Sequence, residues 1–378
     1  MFDSLDFERL RGIGWSPAMT TQLTAQLTAQ LAEFSHLSSL ALHDAGPSLR
    51  RVNEVQREGL TLHDGQAEHP ARLLPALRAA LAAQGDAIAC GDWVVATRNS
   101  FGEWWVQQRL APLNQLARRL HDGRDKVTRL VIVSNVDTAL LVMGLDHDYS
   151  LRRLERYVAL VRLAGVAAVV VLSKRDLCAN AEERLQAVQA LLPPDVAVVA
   201  VNALGHDPNT EPRAALAPWL QPGQTLVLLG SSGAGKSTLT NALLAADVQD
   251  TGANRSGDSR GRHTTTVRSL HAMPGGACII DTPGLRTLRL DGDASDLDAA
   301  FEDIACLALQ CRFRDCQHEA EPGCAVRDAV PAQRLSNYRK LQREARRDTL
   351  TALERKAQVQ QWKSRGREAR ARLQIKRG

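Results

Sequence analysis

The sequence predicts an α/β protein in which a parallel sheet follows a small β-barrel and precedes a helical, metal-binding segment. Three observations support this fold class. Apolar strands alternate with helices after about residue 124, short β-like runs occupy residues 49–112, and four of the seven cysteines lie between Cys306 and Cys324. Alternation of strands and helices is typical of a sheet covered on both faces, so the middle of the chain holds the largest predicted domain.

Composition places the chain among globular proteins. Its 378 residues suffice for two or three domains, and contents of 44% hydrophobic and 24% charged residues exclude a wholly disordered or fibrous chain. The longest apolar stretch, 158–172, contains Arg162 and is too short to span a membrane. The first residues, MFDSLDFERLRG, lack the basic and apolar regions of a secretory signal. We therefore expect a cytoplasmic protein.

The N-terminal third predicts two different structures. Residues 1–46 are expected to form a helical extension, because TTQLTAQLTAQLAEF has helical spacing without glycine or proline. Residues 47–115 contain the β-like runs RRVNEV, LTLHD, DWVVAT and EWWVQQRL, which are separated by turn pairs such as Asp64-Gly65. About five strands of this length fit a small barrel such as the oligonucleotide-binding (OB) fold.

Residues 120–292 are expected to form the α/β domain. Apolar runs predict strands, and charged segments with helical spacing predict helices between them. The predicted strands are 129–135, 165–172, 195–201, 224–230 and 276–281, and the predicted helices are 151–163, 181–191 and 236–245.

A glycine-rich loop between a strand and a helix predicts a phosphate-binding site. The segment GSSGAGKS matches G-x-x-x-x-G-K-[ST], in which backbone amides surround phosphates, Lys236 reaches the outer phosphates and Ser237 ligates Mg²⁺. The candidate phosphate-binding residues are Gly230, Ser231, Ser232, Gly233, Ala234, Gly235, Lys236, Ser237 and Thr238.

The next apolar strand ends in Asp281-Thr-Pro-Gly284. An aspartate at this place can hold Mg²⁺, and the Gly284 amide can contact a terminal phosphate. The intervening polar segment GRHTTT, residues 261–266, has the composition of a mobile switch. Either Thr265 or Thr266 is expected to complete the magnesium shell.

Two motifs upstream of the phosphate loop predict a base-binding site. Ser173, Lys174, Arg175 and Asp176 follow one strand, and Asn202-Ala203 follows another. Open parallel sheets bind ligands at the carboxyl ends of their strands. The Asp176 carboxylate can accept hydrogen bonds from guanine N1 and N2, which adenine cannot match.

Together these motifs resemble a known family. SKRD is similar to the guanine motif N-K-x-D, GSSGAGKST to the first GTPase motif and DTPG to the third, but the guanine motif comes first in the chain. With the barrel, GRHTTT and CRFRDCQHEAEPGC, residues 47–345 resemble the ribosome small subunit-dependent GTPase A family of circularly permuted GTPases. The resemblance implies binding to the small ribosomal subunit late in its maturation, with hydrolysis stimulated by the subunit and coupled to release.

The residue after DTPG, which orients the attacking water in Ras-like GTPases, cannot do so in this sequence. Leu285 follows DTPG, and its apolar side chain cannot orient water as the glutamine of Ras-like GTPases does. His263 stands beside the switch threonines, and imidazole titrates near neutrality. We therefore expect His263 to position or deprotonate the attacking water.

The cysteine cluster predicts one structural zinc ion. Cys311, Cys316, His318 and Cys324 supply three thiolates and an imidazole, the donor set of a closed tetrahedral site. Cys306 is expected to be a core thiol, on an apolar helix face with Phe301 and Ile304. It is the remaining candidate for a substitute ligand.

A basic tail follows an acidic body. Residues 334–378 carry 15 lysines and arginines against four acidic residues, whereas the preceding residues carry a net charge of −6. A positive excess of this size attracts nucleic acid, so residues 293–378 are predicted to combine the zinc site with an RNA-binding helix. The family resemblance implies that this tail and the barrel bind ribosomal RNA, and the protein is expected to be a monomer.

Two alternatives remain open. One is a P-loop ATPase or small-molecule kinase, which would tolerate adenine at the base site. The other is an RNA-binding scaffold that does not hydrolyse nucleotide. The preferred function is a GTPase that uses GTP, Mg²⁺ and one structural zinc ion.

Overall fold

The computed structural model divides into two compact units, Met1–Arg118 with Leu130–Arg289 and Arg119–Arg129 with Leu290–Gly378. No helix among the described residues is long and apolar enough to cross a membrane. The residues that the structure describes are 6–17, 19–21, 43–56, 58–121, 127–204, 211–244, 268–282 and 301–349.

Five strands close into a barrel in the first unit, which confirms the predicted small β-barrel. They follow the order β1-β2-β3-β5-β4 and return to β1, with only the β3–β5 pair parallel. Alternate side chains fill the interior, among them the fully buried Val52, Leu62 and Val94. The barrel elements are β1 (His43–Val55), β2 (Leu60–His63), β3 (Glu68–Leu73), β4 (Trp93–Asn99) and β5 (Trp104–Arg109), and a helix (Pro75–Ala83) follows β3.

The sheet of the α/β domain has the order β10-β9-β8-β11-β13-β12. Five of these strands are parallel, and β12 runs antiparallel to β13. Buried valine, leucine and isoleucine side chains of the central strands form its core. The strands are β8 (Thr138–Gly144), β9 (Ala167–Ser173), β10 (Ala197–Ala200), β11 (Thr225–Leu229), β12 (Ser269–Ala272) and β13 (Cys278–Asp281).

The helices of this domain agree with the sequence pattern. The predicted helices 151–163 and 181–191 are confirmed at these boundaries, and the helix predicted from Lys236 begins there. In chain order the helices so far are α1 (Phe7–Arg11), α2 (Pro75–Ala83), α3 (Leu151–Leu163), α4 (Ala181–Leu191), α5 (Pro212–Leu216) and α6 (Lys236–Leu244).

One predicted strand was assigned to the wrong sheet. The run predicted at 129–135 is β7 (Val127–Ser134), which pairs with β6 (Gln115–His121) in a separate two-stranded sheet. The parallel sheet instead contains β8, which the sequence analysis missed. Asn135 adopts a left-handed conformation, with φ 55°, and lies in the mostly polar segment 134–138 that separates the two apolar runs. That polar break was the sequence signal for a second strand, and the sequence analysis did not use it.

Buried Arg51 joins the N-terminal segment, the barrel and the sheet. Its guanidinium group donates to the carbonyls of Ile13, Gly91 and Asn135 and to the Thr225 hydroxyl. Trp15 packs edge-on against barrel residue Trp93, with ring centroids 4.8 Å apart. Strand β12 of the sheet also pairs with β1 of the barrel, where Ser269 lies opposite Glu54.

The second unit is helical in its described part after residue 301. It contains α7 (Glu302–Ala308), α8 (Ala325–Ala329) and α9 (Ala332–Thr349), so a helix is present at the start of the basic tail, as predicted. The Phe301 and Tyr338 rings contact each other at 5.3 Å.

The prediction that Cys306 is a core thiol was wrong, because the residue is exposed. Ile304 faces the core, and a residue two positions later on a helix lies about 200° around the axis. Cys306 therefore points away from the core that Phe301 and Ile304 share.

Candidate functional site

The upstream and downstream motifs meet at one edge of the parallel sheet. Strands β9, β10, β11 and β13 are parallel, so the loops that follow them lie at the same end. One contact joins the motifs directly: the Ser173 hydroxyl donates to the Ala234 carbonyl at 2.6 Å. The base motif therefore touches the phosphate loop although 61 positions separate the two residues.

The phosphate loop is shaped by glycines that other residues cannot replace without strain. Gly230 has φ 155°, and a Cβ atom there would lie 2.3 Å from the Val142 carbonyl oxygen of β8. Gly233 and Gly235 also have positive φ angles, 83° and 92°. The loop therefore folds closely against β8 while its tip, Ser232 and Gly233, stays exposed.

The phosphate loop wraps around Lys236. The lysine Nζ atom donates to the carbonyl of Gly230 at 2.8 Å and to that of Ser231 at 2.6 Å. Ser237 and Thr238 follow on the first turn of α6, and both are half-buried. Amides at the start of this helix and a nearby ammonium group form a site suited to an anion.

The base motif has a rigid first half and an open second half. Ser173 is buried, and Lys174 adopts a left-handed conformation with φ 59°. Arg175 and Asp176 lie on a short 3-10 turn and are exposed. The Asp176 carboxylate is thus accessible to a ligand at this edge.

The loop after β10 also reaches this edge. Asn202 and Ala203 are half-buried, and the Asn202 side chain accepts a hydrogen bond from the Leu204 amide at 3.2 Å. This bond holds the loop in a local turn and orients the Asn202 amide.

The third motif begins at the end of β13. Asp281 is only 3% exposed there, and the adjacent Thr282 hydroxyl donates to the Leu228 carbonyl of β11 at 2.7 Å. The contact keeps the end of β13 beside the strand that carries the phosphate loop. The remaining predicted residues, Gly284, His263, Thr265 and Thr266, lie outside the described residues.

Sequence reasoning missed two aspartates in the loop after β8. Asp146 forms an ion pair with Lys174 at 2.7 Å, and Asp148 accepts a hydrogen bond from the Ser231 hydroxyl. Burial raises the pKa of Asp146, but hydrogen bonds from Lys174 and the Asp148 amide outweigh it and lower this pKa overall. The segment Asp-His-Asp directly after an apolar run was the available signal, and it was lost with β8.

The second unit brings the four predicted zinc ligands together. The ligand atoms of Cys311, Cys316, His318 and Cys324 all lie within 4.8 Å of one another. His318 Nδ1 is 3.6 Å from the Cys311 sulfur and 3.4 Å from the Cys324 sulfur. A tetrahedral site with Zn–S bonds of about 2.3 Å has edges of about 3.8 Å, so the donor set and its spacing fit structural zinc.

The surroundings favour the metal-binding protonation state at His318 and Cys311, whereas burial and the neighbouring thiols of Cys324 and Cys311 raise the pKa of Cys316 to about 11. Burial and then the charge of Arg339 lower the pKa of His318, which keeps the imidazole neutral. Burial opposes ionisation of Cys311, but hydrogen bonds from the Val326 and Ala325 amides lower its pKa overall. Neutral imidazole and thiolate are the forms that bind zinc.

Comparison with known proteins identifies close sequence relatives. The RsgA GTPase family model matches residues 113–291. The Small ribosomal subunit biogenesis GTPase RsgA of Xylella fastidiosa (strain 9a5c) is 45% identical over 301 residues, covering 78% of this chain and 84% of that protein. The protein of the same name from Xanthomonas campestris pv. campestris (strain B100) is 44% identical over 300 residues, covering 78% and 80%.

Two solved structures share the fold. YjeQ from Thermotoga maritima superimposes with a TM-score of 0.58 and 24% identity, covering 79% of this chain and 99% of that chain. YloQ, described as a circularly permuted GTPase, gives a TM-score of 0.56 and 22% identity, covering 82% and 98%. The predicted order of barrel, permuted P-loop domain and Cys/His helical segment is therefore confirmed at the level of the fold.

Proposed function

Because this chain belongs to the RsgA GTPase family, we propose that it acts in small ribosomal subunit biogenesis, binding the subunit with GTP and leaving after hydrolysis. The chain is a GTP hydrolase by family and by fold. The observation that carries the proposal for its site is the 2.6 Å hydrogen bond from Ser173 to Ala234. It supports a single nucleotide site, because one nucleotide would have to contact both residues 173–176 and the phosphate loop.

The proposed site divides the nucleotide between the loops of one sheet edge. Residues 230–238 bind the phosphates, with Lys236 supplying positive charge. Asp176 selects guanine through its two carboxylate oxygens, while Ser173, Lys174, Arg175, Asn202 and Ala203 line the base. The exposure of Asp176 and of the tip of the phosphate loop supports this division, because both are accessible to a ligand.

Magnesium fits the oxygen donors at the other side of the phosphate loop. Ser237 and Asp281 would hold it, with Thr265 or Thr266 added in the GTP-bound state and Gly284 contacting the terminal phosphate. The ion would neutralise phosphate charge during hydrolysis. We propose that His263 orients the attacking water, because Leu285 has no polar group for this task.

The outer domains are proposed to hold ribosomal RNA. We assign residues 1–46 to the N-terminal extension, 47–115 to the barrel, 120–292 to the GTPase domain and 293–378 to the zinc-binding and basic domain. Barrel residues Arg72 and Arg98 are exposed, and Phe101 is 89% exposed on the hairpin between β4 and β5. Exposed cations and an exposed ring on the same barrel suit phosphate contact and base stacking.

The deciding experiment is a GTPase assay with the purified protein, which we propose is a monomer. Hydrolysis alone should be slow, and purified small ribosomal subunits should raise it by about 10³- to 10⁵-fold. Large subunits serve as the control and should have no effect. Equal stimulation by both subunits would contradict the proposed partner, and equal displacement of labelled GDP by ATP and GTP would contradict guanine selection.

A further inference from the structure

The loop between β8 and α3 connects the base motif to the phosphate loop. Lys174 Nζ donates to Asp146 Oδ2 at 2.7 Å, and the Asp148 amide donates to Asp146 Oδ1 at 3.0 Å. The Asp148 carboxylate then accepts from the Ser231 hydroxyl. The Ser231 carbonyl accepts from Lys236 Nζ at 2.6 Å, so four hydrogen bonds link the two lysines.

The Asp148 carboxylate is held in place from within its own loop. Its side chain is 7% exposed, and Oδ2 accepts a hydrogen bond from the Gly144 amide at 3.1 Å. Arg153, on the first turn of α3, lies 2.6 Å from Oδ1 and also donates to the Asp148 carbonyl. Arg153 balances the buried negative charge, which would otherwise repel phosphate.

Hydrogen bonds therefore hold the phosphate loop on both sides of its tip. Ser231 is bonded to Asp148 before the tip, and Ala234 is bonded to Ser173 after it. The intervening Ser232 and Gly233 are exposed. A loop held at both ends loses less conformational freedom when a ligand binds its amides, which favours binding.

We propose that Asp148 is a positioning residue, which holds the phosphate loop through the Ser231 hydroxyl in the shape that receives guanine nucleotide. The proposal rests on the nucleotide site described above. Both GTP and GDP should depend on this contact to the same degree, since it shapes the loop rather than touching the terminal phosphate. A charge-assisted hydrogen bond of this kind corresponds to about 10- to 100-fold in affinity.

A double-mutant cycle on the full-length protein tests this role with fluorescent GDP and GTP as probes. Asp148→Ala and Ser231→Ala should each weaken both nucleotides by about 10- to 100-fold. The double variant should bind nucleotide no more weakly than the single variant of lower affinity, because both changes remove the same contact. Ser231→Thr keeps the hydroxyl and should retain most of the nucleotide affinity of the unaltered protein. Asp195→Asn, at an exposed carboxylate paired with Arg162, should bind as the unaltered protein does.

The possible results separate this proposal from the proposed function. If the unaltered protein binds GDP but the two single changes multiply in the double variant, Asp148 does not act through Ser231. Unchanged affinity in Ser231→Ala would also overturn the proposal, and this variant does not depend on the fold tolerating a change at buried Asp148. If the unaltered protein binds neither nucleotide, the proposed function fails together with this inference.

Discussion

At residue 173, serine stands where the guanine motif of related GTPases usually has asparagine. The substitution removes an amide, yet the structure shows that the hydroxyl still donates to the phosphate loop at Ala234. Gly235 also lies close to this hydroxyl, because a Cβ atom added at position 235 would be 3.3 Å from the Ser173 oxygen. Serine therefore keeps the link between base and phosphate sites that the motif needs.

This interpretation predicts opposite effects for two substitutions at Ser173. Ser173→Ala should weaken GDP binding about tenfold, because a buried carbonyl loses its hydrogen-bond donor. Ser173→Asn should bind GDP at least as tightly as the unaltered protein, since its amide can donate to the same carbonyl. Titration with fluorescent GDP measures both, and an unchanged affinity in Ser173→Ala would show that the contact has no part in binding.

Asp176 should determine which base is accepted. Asp176→Asn replaces an acceptor by an amide donor, so GTP affinity should fall by at least about 100-fold while XTP, with a carbonyl at C2, should bind better. Competition of GTP, XTP and ATP against labelled GDP measures the change. Glu183→Gln on α4 is the matched control, being an exposed carboxylate in a neighbouring helix. Retained preference for GTP in Asp176→Asn would rule out this role for the carboxylate.

At the scale of elements, the β8–phosphate loop contact imposes a backbone requirement. Gly230→Ala should destabilise the protein by more than about 3 kcal/mol, because its Cβ would meet the Val142 carbonyl at 2.3 Å. Gly233→Ala is the comparison: its φ is also positive, but no atom lies within 4 Å of the added Cβ. Its cost should be about 1 kcal/mol. Urea unfolding followed by circular dichroism measures both, and equal losses would contradict the close approach.

The cluster of Cys311, Cys316, His318 and Cys324, which we propose binds zinc, should determine whether the second unit folds. Its described core is small, and a structural zinc ion contributes about 10 to 16 kcal/mol to such domains. Cys324→Ser should therefore release zinc and reduce helical content, as chelation of the unaltered protein should. Metal analysis and circular dichroism measure these effects. Cys306→Ser is the control, because this exposed thiol lies outside the cluster, and loss of zinc there would require a different ligand set.

Elements with a distinct local signal could be predicted from the sequence, whereas those that depend on distant pairing could not. The α3 and α4 boundaries follow from helical spacing, and the phosphate loop follows from its glycines and Lys236. Strand β8 was missed although the mostly polar segment 134–138 separates its apolar residues from those of β7, and its place in the sheet is decided by pairing with β9 and β11. Asp148 was missed for the same reason, since its role becomes visible only beside Ser231.

At the scale of the whole molecule, one buried guanidinium connects three parts of the first unit. Burial lowers the pKa of Arg51, although nearby Cys278 and Asp137 oppose the shift. The carbonyls of Ile13, Gly91 and Asn135 would each lose a donor if the side chain were removed. This group, together with the packing of Trp15 against Trp93, anchors the described N-terminal residues to the barrel.

Arg51→Met should therefore destabilise the first unit by at least about 3 kcal/mol, since it leaves several buried acceptors without partners. It should also make the N-terminal segment more susceptible to protease. Urea unfolding and limited proteolysis provide the measurements. Arg78→Met on the exposed face of α2 should change stability by less than about 0.5 kcal/mol. Similar losses in both variants would argue against a central role for Arg51.

The pairing of β12 with β1 also bears on how this architecture can be altered. A shortened protein that begins after the barrel would leave the outer edge of β12 without a neighbour, and bare edges recruit strands from other molecules. Removal of the barrel would replace the pairing of β12 with β1 by pairing of β12 with strands of other molecules, and the shortened protein should self-associate. Modular swapping among such proteins should accordingly transfer both domains as one piece.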